Sequence, residues 1–455
     1  MPHRPTDDDI RRAFEAAGQG HVFRFLSSLG AREREALFDQ ARAIDLAQCA
    51  TLHATTERDL SQSVIEAPGN ELVRLDTTDD FRRMRAAARE RGEDELRNGR
   101  VAVVVAAGGQ GTRLGSAAPK GMWPCGPASG KSLLQWLAEK TLYWSRKVAR
   151  PIPFVLMVSE ATEDATLRFL RWHGYFGLDP TWVRLARQGS LPALDDEGRL
   201  LLESPHRIAM APNGHGGLYR ALRDTKLLDL LDDHGVRTLS YVQVDNPLIQ
   251  PVDPVFIGFH LRRESLISSK SVRKTDAQER VGVFARIDGR SAVLEYSELT
   301  PLQASSCEAD GALTFAHGSI AAHCIDLDFA RRTADAGLPV HRARKQVPYV
   351  DASGNVVRPE SPNATKFETF LFDAIPLAER SLVLETGRAE EFSPIKNATG
   401  ADSPATCRRD LEASFRRWMT RAGQPVPDVG ALEIAPSTAP DEYEYRVQLG
   451  RPGDR

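Results

Sequence analysis

The sequence predicts an α/β fold in which helices cover a mostly parallel sheet, and three apolar runs carry that prediction. "VAVVVAA" (101–107) is continuously apolar, as a strand buried on both faces should be. "PFVLMVS" (153–159) repeats the pattern, and "LSYVQVD" (239–245) does so more weakly. Between them lie stretches with helical periodicity, "SLLQWLAEKTLYWSRKV" (132–148) and "ATEDATLRFLRWH" (161–173). Strands that alternate with helices are joined by crossovers, and crossovers make neighbouring strands parallel.

Ahead of this pattern, residues 7–50 read as helices, with Ile10 and Phe14 on one face and Phe23 and Leu26 on another. Thr6 and Asp9 have the spacing of a capping box. A polar link, "EAPGNELVRLDTTDD" (66–80), leads to "FRRMRAAARERGEDELRNG" (81–99), helical by propensity and stopped at Gly99. Beyond the α/β pattern the tail is mixed, and "ALEIAP" (431–436) and "YEYRVQL" (443–449) read as short strands. The expected organisation is therefore a helical segment (1–99), a central domain (100–375) and a small C-terminal domain (376–455), without internal repeats.

The bulk numbers exclude several classes. A chain of 455 residues exceeds one core, so more than one domain is expected. The 59 basic and 62 acidic residues leave a net charge of -3, no electrostatic footprint for nucleic acid. No apolar run reaches the roughly 20 residues of a spanning helix. The start, "MPHRPTDDDIRR", lacks the apolar core of a signal peptide. Cys49, Cys125, Cys307, Cys324 and Cys407 form no CxxC pair, which argues against a disulfide framework or a zinc site. A cytoplasmic protein working on small molecules is the expectation; monomer or homo-oligomer stays undecided.

The candidate site begins where the first strand ends. In open α/β sheets ligands sit at the carboxyl ends of strands. Gly108, Gly109 and Gly111 would let a ligand approach the backbone and would allow positive φ. Exposed N–H groups, the start of a following helix, Arg113 and Lys120 all suit an anion such as phosphate. Two familiar motifs fail in detail. The dinucleotide fingerprint needs glycine where Leu114 stands, and "GPASGKS" (126–132) is one residue short of a P-loop and does not follow a buried strand. Two further stretches add weight. "MAPNGHGGLYRAL" (210–222) is a second glycine-rich loop before a helix, and Asp245 closes an apolar strand, where a carboxylate beside a triphosphate would suit Mg2+.

With these stretches in place, the chain resembles the eukaryotic-type UDP-sugar pyrophosphorylases, closest to the UDP-N-acetylglucosamine pyrophosphorylase branch. The resemblance rests on ordered blocks: "AGQGHVFRFL" (17–26), "AAGGQGTRLGSAAPKGM" (106–122), "HGYFGL" (173–178), "RQGSLPAL" (187–194) and "LESPHRIAMAPNGHGGLYRAL" (202–222). "VQVDNPLIQPVDPVFIGF" (242–259), "VGVFARIDGRSAVLEYSEL" (281–299), "KQVPYVD" (345–351) and "EEFSPIKNA" (390–398) follow. It implies a nucleotidyltransferase-like (Rossmann-like, GT-A-type) central mixed sheet. It also implies a reaction: UTP and a sugar 1-phosphate give a UDP-sugar and pyrophosphate, with Mg2+ as cofactor.

The resemblance implies roles as well. Gly108, Gly109 and Gly111 would line the uridine and phosphates, with Gln188 on the uracil edge and Pro212 and Gly214 beside the base. Arg113 and Lys120 would clamp the phosphates, Lys396 would reach the sugar phosphate, and Asp245 would hold Mg2+. Gly282, Glu295, His215 and Ser319 would line the sugar. The last two depart from the N-acetylglucosamine branch, which has Asn at both places; a histidine in that loop is what UDP-glucose pyrophosphorylases show. N-acetylglucosamine 1-phosphate is thus the first expectation and glucose 1-phosphate the alternative. A non-catalytic nucleotide-sugar binder is the alternative of another class, although Arg113, Lys120, Asp245 and Lys396 are all present. His323 reads as a core histidine before it reads as a second metal ligand.

Overall fold

The structure is a computed structural model that describes residues 5–56, 58–428 and 430–451. The chain divides into two compact units, each assembled from separate segments. The larger comprises Leu60–Gln188, Leu218–Gly337 and Phe372–Arg455; the smaller comprises Met1–Asp59, Gly189–Gly217 and Leu338–Leu371. Division by compactness thus cuts across three consecutive spans, because the smaller unit gathers insertions from the middle of the sequence.

Eight strands make the spine of the larger unit: β1 (Leu72–Val73), β2 (Val101–Ala106), β3 (Phe154–Val158), β4 (Val183–Arg187), β5 (Thr238–Gln243), β6 (Ile267–Arg273), β7 (His317–Asp326) and β8 (Ser381–Glu385). Their order is β1-β8-β6-β7-β5-β2-β3-β4. Pairing is parallel except around β7, which runs against both β5 and β6. The expected parallel sheet is therefore mixed, with one reversed strand among these eight. A hairpin, Val283–Ile287 with Arg290–Leu294, joins β7 through Val283 and Gly318.

The local causes are visible in the sequence. Val101 to Val105 of β2 are each at most 1% exposed, as its unbroken apolar run requires. The helix Leu133–Lys147 starts where the Ser132 hydroxyl accepts from the Gln135 N–H (3.1 Å) and ends on Arg146 and Lys147, which suit its negative end. It is buried nearly all round, with Trp136 and Trp144 in the core beside Phe154. The helix Asp79–Arg97 stops before Gly99, whose φ of 71° ends it.

Two readings need correction. The polar link opens on the end of a two-residue strand, Ile65–Glu66, and contains a second, β1, both too short for an alternating pattern to register. In the tail, 431–436 forms no strand, and Glu442–Gln448 is a helix. Asp441 caps it by accepting from the Glu444 N–H (2.8 Å), and the buried Glu444 carboxylate takes hydrogen bonds from Tyr143 (2.6 Å) and Lys147 (2.7 Å). The aromatic and charged residues that looked β-like are spaced to anchor a helical turn.

In the smaller unit three helices, Asp7–Ala16, Ala31–Ala43 and Leu46–Ala54, and the 3-10 turn Gly20–Phe23 pack Phe14, Phe23, Leu37 and Phe38 with Leu200 and Phe367. The capping box forms as expected, with Asp9 N–H on Thr6 Oγ1 (3.2 Å) and Thr6 N–H on Asp9 Oδ2 (3.0 Å).

Buried histidine sets an acid limit in the larger unit. His260 is 2% exposed, lies 2.8 Å from the Ser268 hydroxyl, and is held down to about 4 by desolvation. Burial also lowers the pKa of His317. Both folded values lie below the unfolded one, near 6.5, so as pH falls below it the unfolded chain takes up protons that the folded chain refuses. Unfolding free energy should drop between pH 6.5 and 5.5 by up to about 1.4 kcal/mol per pH unit and histidine. Urea unfolding across that range checks it; a flat profile would contradict neutral, buried rings.

Candidate active site

The site lies at the edge where β2, β3, β4 and β5 end. Beyond β2 the chain folds back on itself: Gly111 N–H donates to Ala118 O (2.9 Å) and Lys120 N–H to Gly109 O (3.0 Å). This closed loop returns Lys120 to the mouth of the strand that launched it. Its side chain then reaches the residue beyond β5, and Lys120 Nζ donates to Asp245 Oδ2 at 2.8 Å. The two side chains are 18% and 13% exposed, so each charge is largely desolvated and answered by the other.

The three glycines differ in purpose. A Cβ on Gly108 would stand 3.0 Å from Gln188 Oε1 and 3.3 Å from Ser159 N, so bareness there lets the ends of three strands meet. Gly109 has nothing within 4 Å of that position and faces open space. The expectation of positive φ at 108, 109 and 111 is not met; the left-handed residue of this loop is Gly115, at 75°. Nor does a long helix begin here. The loop enters two short 3-10 turns, Thr112–Leu114 and Lys120–Met122, and the next α-helix starts at Leu133, so a helix dipole plays no part. The P-loop look-alike is also accounted for: the Ala128 and Ser129 N–H groups both donate to Glu433 Oε2 at 3.0 Å, so a carboxylate of the chain fills that turn.

Around this loop the other predicted residues take distinct places. Arg113 is exposed and makes no ion pair among the described residues. Gln188 is 7% exposed, fixed through its N–H to Val158 O (2.9 Å), and its side chain takes no hydrogen bond among the described residues. Lys396 is half-buried with Nζ 5.6 Å from the Phe392 ring centre. Its segment is tied to the Asp245 loop, since Ile395 N–H donates to Asp245 O (2.8 Å). Gly282, Glu295 and Ser319 form a second group. Ser319 N–H donates to Gly282 O (2.8 Å), and Glu295 Oε1 would lie 3.2 Å from a Cβ on Gly282. Because β7 is reversed, its first residues, including Ser319, stand at the same edge as the ends of β2 and β5.

Pro212, Gly214 and His215 belong to the smaller unit. Pro212 pairs with Ser190 in a short ladder. Gly214 has φ of 83°, and a Cβ there would meet Thr369 O at 2.4 Å, so its bareness already serves the protein's own backbone. His215 Nδ1 accepts from the Leu371 N–H (3.1 Å), and the ring stacks on Phe370 at 5.5 Å. His323 lies in the core, 1% exposed, with Nδ1 2.9 Å from Ser269 Oγ. No group of three or more metal-ligating side chains occurs among the described residues.

Lys140, near this edge, escaped the sequence reading. Lys140 is 4% exposed, and its Nζ donates to Pro247 O, Leu248 O and Ile249 O at 2.8, 2.9 and 2.8 Å. Desolvation pulls its pKa down to about 7, against the opposing pull of Glu391 and Asp441. The signal was present: a lysine on the apolar side of a helix buried all round must meet acceptors.

A mixed α/β sheet with a glycine loop and a lysine–carboxylate pair at its carboxyl edge defines a nucleotidyltransferase-like protein, of the kind its structural neighbours show. The chain belongs to the family described as UTP–glucose-1-phosphate uridylyltransferase, whose pattern matches residues 47–402. A mouse protein named UDP-N-acetylhexosamine pyrophosphorylase-like protein 1 is 37% identical over 94% of this chain and 88% of its own. The UDP-N-acetylglucosamine pyrophosphorylase of Saccharomyces cerevisiae is 34% identical over 94% of each chain. The crystal structure of the uridine diphosphate N-acetylglucosamine pyrophosphorylase of Trypanosoma brucei in complex with an inhibitor superposes with a TM-score of 0.84 at 28% identity, over 99% of this chain and 96% of that one.

Proposed function

We propose that the protein transfers the uridylyl group of UTP to a hexose 1-phosphate, with N-acetylglucosamine 1-phosphate as its sugar substrate, and releases pyrophosphate. The observation that carries this reading is the Lys120–Asp245 pair beside the open face of Gly109. The name of the yeast relative supports the sugar.

The chemistry asks little of the protein beyond placement and charge. A sugar phosphate oxygen attacks the α-phosphorus of UTP in line, and pyrophosphate leaves from the opposite side. The attacking phosphate is already a nucleophile, so no general base is required. Gln188 holds the uracil, its side-chain carboxamide, which takes no hydrogen bond among the described residues, being able to donate and accept. Arg113 and Lys120 neutralise the phosphates, and Lys396 receives the phosphate of the sugar.

Asp245 suits Mg2+, because its half-buried carboxylate already binds a cation, the Lys120 ammonium, at 2.8 Å. Mg2+ is commonly held by one or two carboxylates together with substrate phosphates, so a single carboxylate suffices. Bound there, it would supply charge neutralisation to the departing pyrophosphate. Lys120 then leaves Asp245 and turns to the nucleotide.

The direct experiment is pyrophosphate release with UTP, Mg2+ and glucose, galactose, N-acetylglucosamine or N-acetylgalactosamine 1-phosphate in turn. Release with N-acetylglucosamine 1-phosphate is expected, together with a rise in Tm on adding UTP but not NAD. UTP binding without release with any sugar would leave a non-catalytic binder.

His215 is proposed to bias the sugar. Its ring is fixed by Leu371 and Phe370, so it presents a fixed bulk where a carboxamide would be smaller. His215→Asn should move the ratio of kcat/KM values toward N-acetylated sugars by ~10-fold. An unchanged ratio would remove the residue from the specificity argument.

A further inference from the structure

We propose that Asn246 is a positioning residue whose buried carboxamide locks the segment carrying Lys396 onto the loop carrying Asp245. The inference rests on the functional reading above for what those two side chains do, and on the following geometry for how they are held.

Asn246 is 3% exposed. Its Nδ2 donates to Glu391 O at 2.7 Å, and its Oδ1 accepts from the Ser393 N–H at 3.1 Å. Beside it, Asp245 O accepts from the Ile395 N–H at 2.8 Å. Three hydrogen bonds thus join residues 245–246 to 391–395, and the next residue along is Lys396. One planar head that both donates and accepts is what this contact needs. An aspartate of the same shape would set a carboxylate oxygen against Glu391 O, and an apolar residue would orphan both backbone groups.

The lock is part of a closed circuit. The Glu391 carboxylate accepts from Lys270 Nζ and from Thr386 Oγ1 (2.8 Å). Lys270, 1% exposed, also donates to Asp253 Oδ2 at 2.6 Å. Asp253 in turn caps the helix Pro254–Arg262 through the Val255 N–H (2.9 Å) and closes the loop that Asn246 opens. Lys140 holds the middle of that loop by three carbonyls. Every stretch of 245–253 is therefore tethered, and Lys396 inherits that fixity across a long sequence separation. Charged groups aimed in advance lower a barrier without reorganising at the moment of reaction.

A plain structural staple would cost stability and nothing else, so the test must separate the two. Asn246→Ala should lower kcat per folded molecule by ~10-fold or more while leaving the KM for UTP unchanged. In a Lys396→Ala background the same change should cost little further, because the lysine it positions is gone. Amide hydrogen exchange at 391–396 should quicken in Asn246→Ala. Asn246→Asp, which keeps the volume, should repeat the pattern if the alanine variant folds poorly. Additive losses in the cycle, or unchanged exchange at 391–396, would overturn the proposal. Absence of turnover in the unaltered protein would instead sink the functional reading, and the exchange measurement would still decide whether Asn246 is the lock.

Discussion

Lys120→Ala is expected to lower kcat by roughly 10²–10³-fold, the cost of losing one donor aimed at developing charge. The same substitution should tighten binding of Mg2+ or Mn2+ in the absence of nucleotide. These two effects have opposite signs for one reason. In the free protein the ammonium lies 2.8 Å from Asp245 Oδ2 and competes with any other cation for that carboxylate. Remove the amine, and the carboxylate is left 13% exposed with its partner gone, a costly state that a divalent ion relieves. Turnover falls because one of the cations assigned to the phosphates is then missing, and Arg113 and Lys396 alone remain. The backbone should keep its shape, since the Lys120 N–H, not its side chain, ties the loop to Gly109 O. Stopped-flow turnover with metal titration by calorimetry checks both halves. A variant with unaltered kcat would end the assigned role, and weaker metal binding would end the account of the pair.

How much of this was legible beforehand depends on the range of the interactions involved. The strands at 101–106, 154–158 and 238–243 were legible because burial on both faces leaves an unbroken apolar run. The reversed β7 was not, because strand direction is set by what the connection crosses, and its "HGSIAAHCID" looks the same in either sense. The tail helix Glu442–Gln448 was misread as a strand because its anchor is the distant Tyr143 and Lys147. The glycine loop was found, but its mechanics differ. Gly108 is bare for the sake of Gln188 and Ser159, while Gly109 alone of that pair faces open space. The same holds for Gly214, crowded by Thr369 of its own unit. For Lys140 the buried helix signalled that acceptors must exist without naming them, and Asn246 gave no signal at all. A buried amide and a buried lysine acquire meaning only from the carbonyls they meet, and those come from segments far along the chain.

Asp245→Asn is the complementary substitution, and its expected signature differs from that of Lys120→Ala in each respect that matters. Shape and hydrogen-bonding reach are nearly kept, so the fold should persist and the Ile395 N–H should still find the carbonyl of residue 245. Charge is lost, so the carboxylate no longer attracts a cation; turnover should fall by roughly 10²–10³-fold, and the remaining activity should demand far more Mg2+. Lys120 faces a neutral amide in this variant and is no longer held back, so UTP binding without metal should weaken little or improve. The mutual attraction of the pair is only partly screened, which puts the stability change at about 1–3 kcal/mol. The two single variants together then form a cycle. If Lys120 and Asp245 are partners that separate on substrate binding, metal affinity rises in one and falls in the other, and the double variant resembles Asp245→Asn. If both variants lost turnover with metal affinity untouched, the pair would be a strut of the loop and the cation would have to be sought elsewhere.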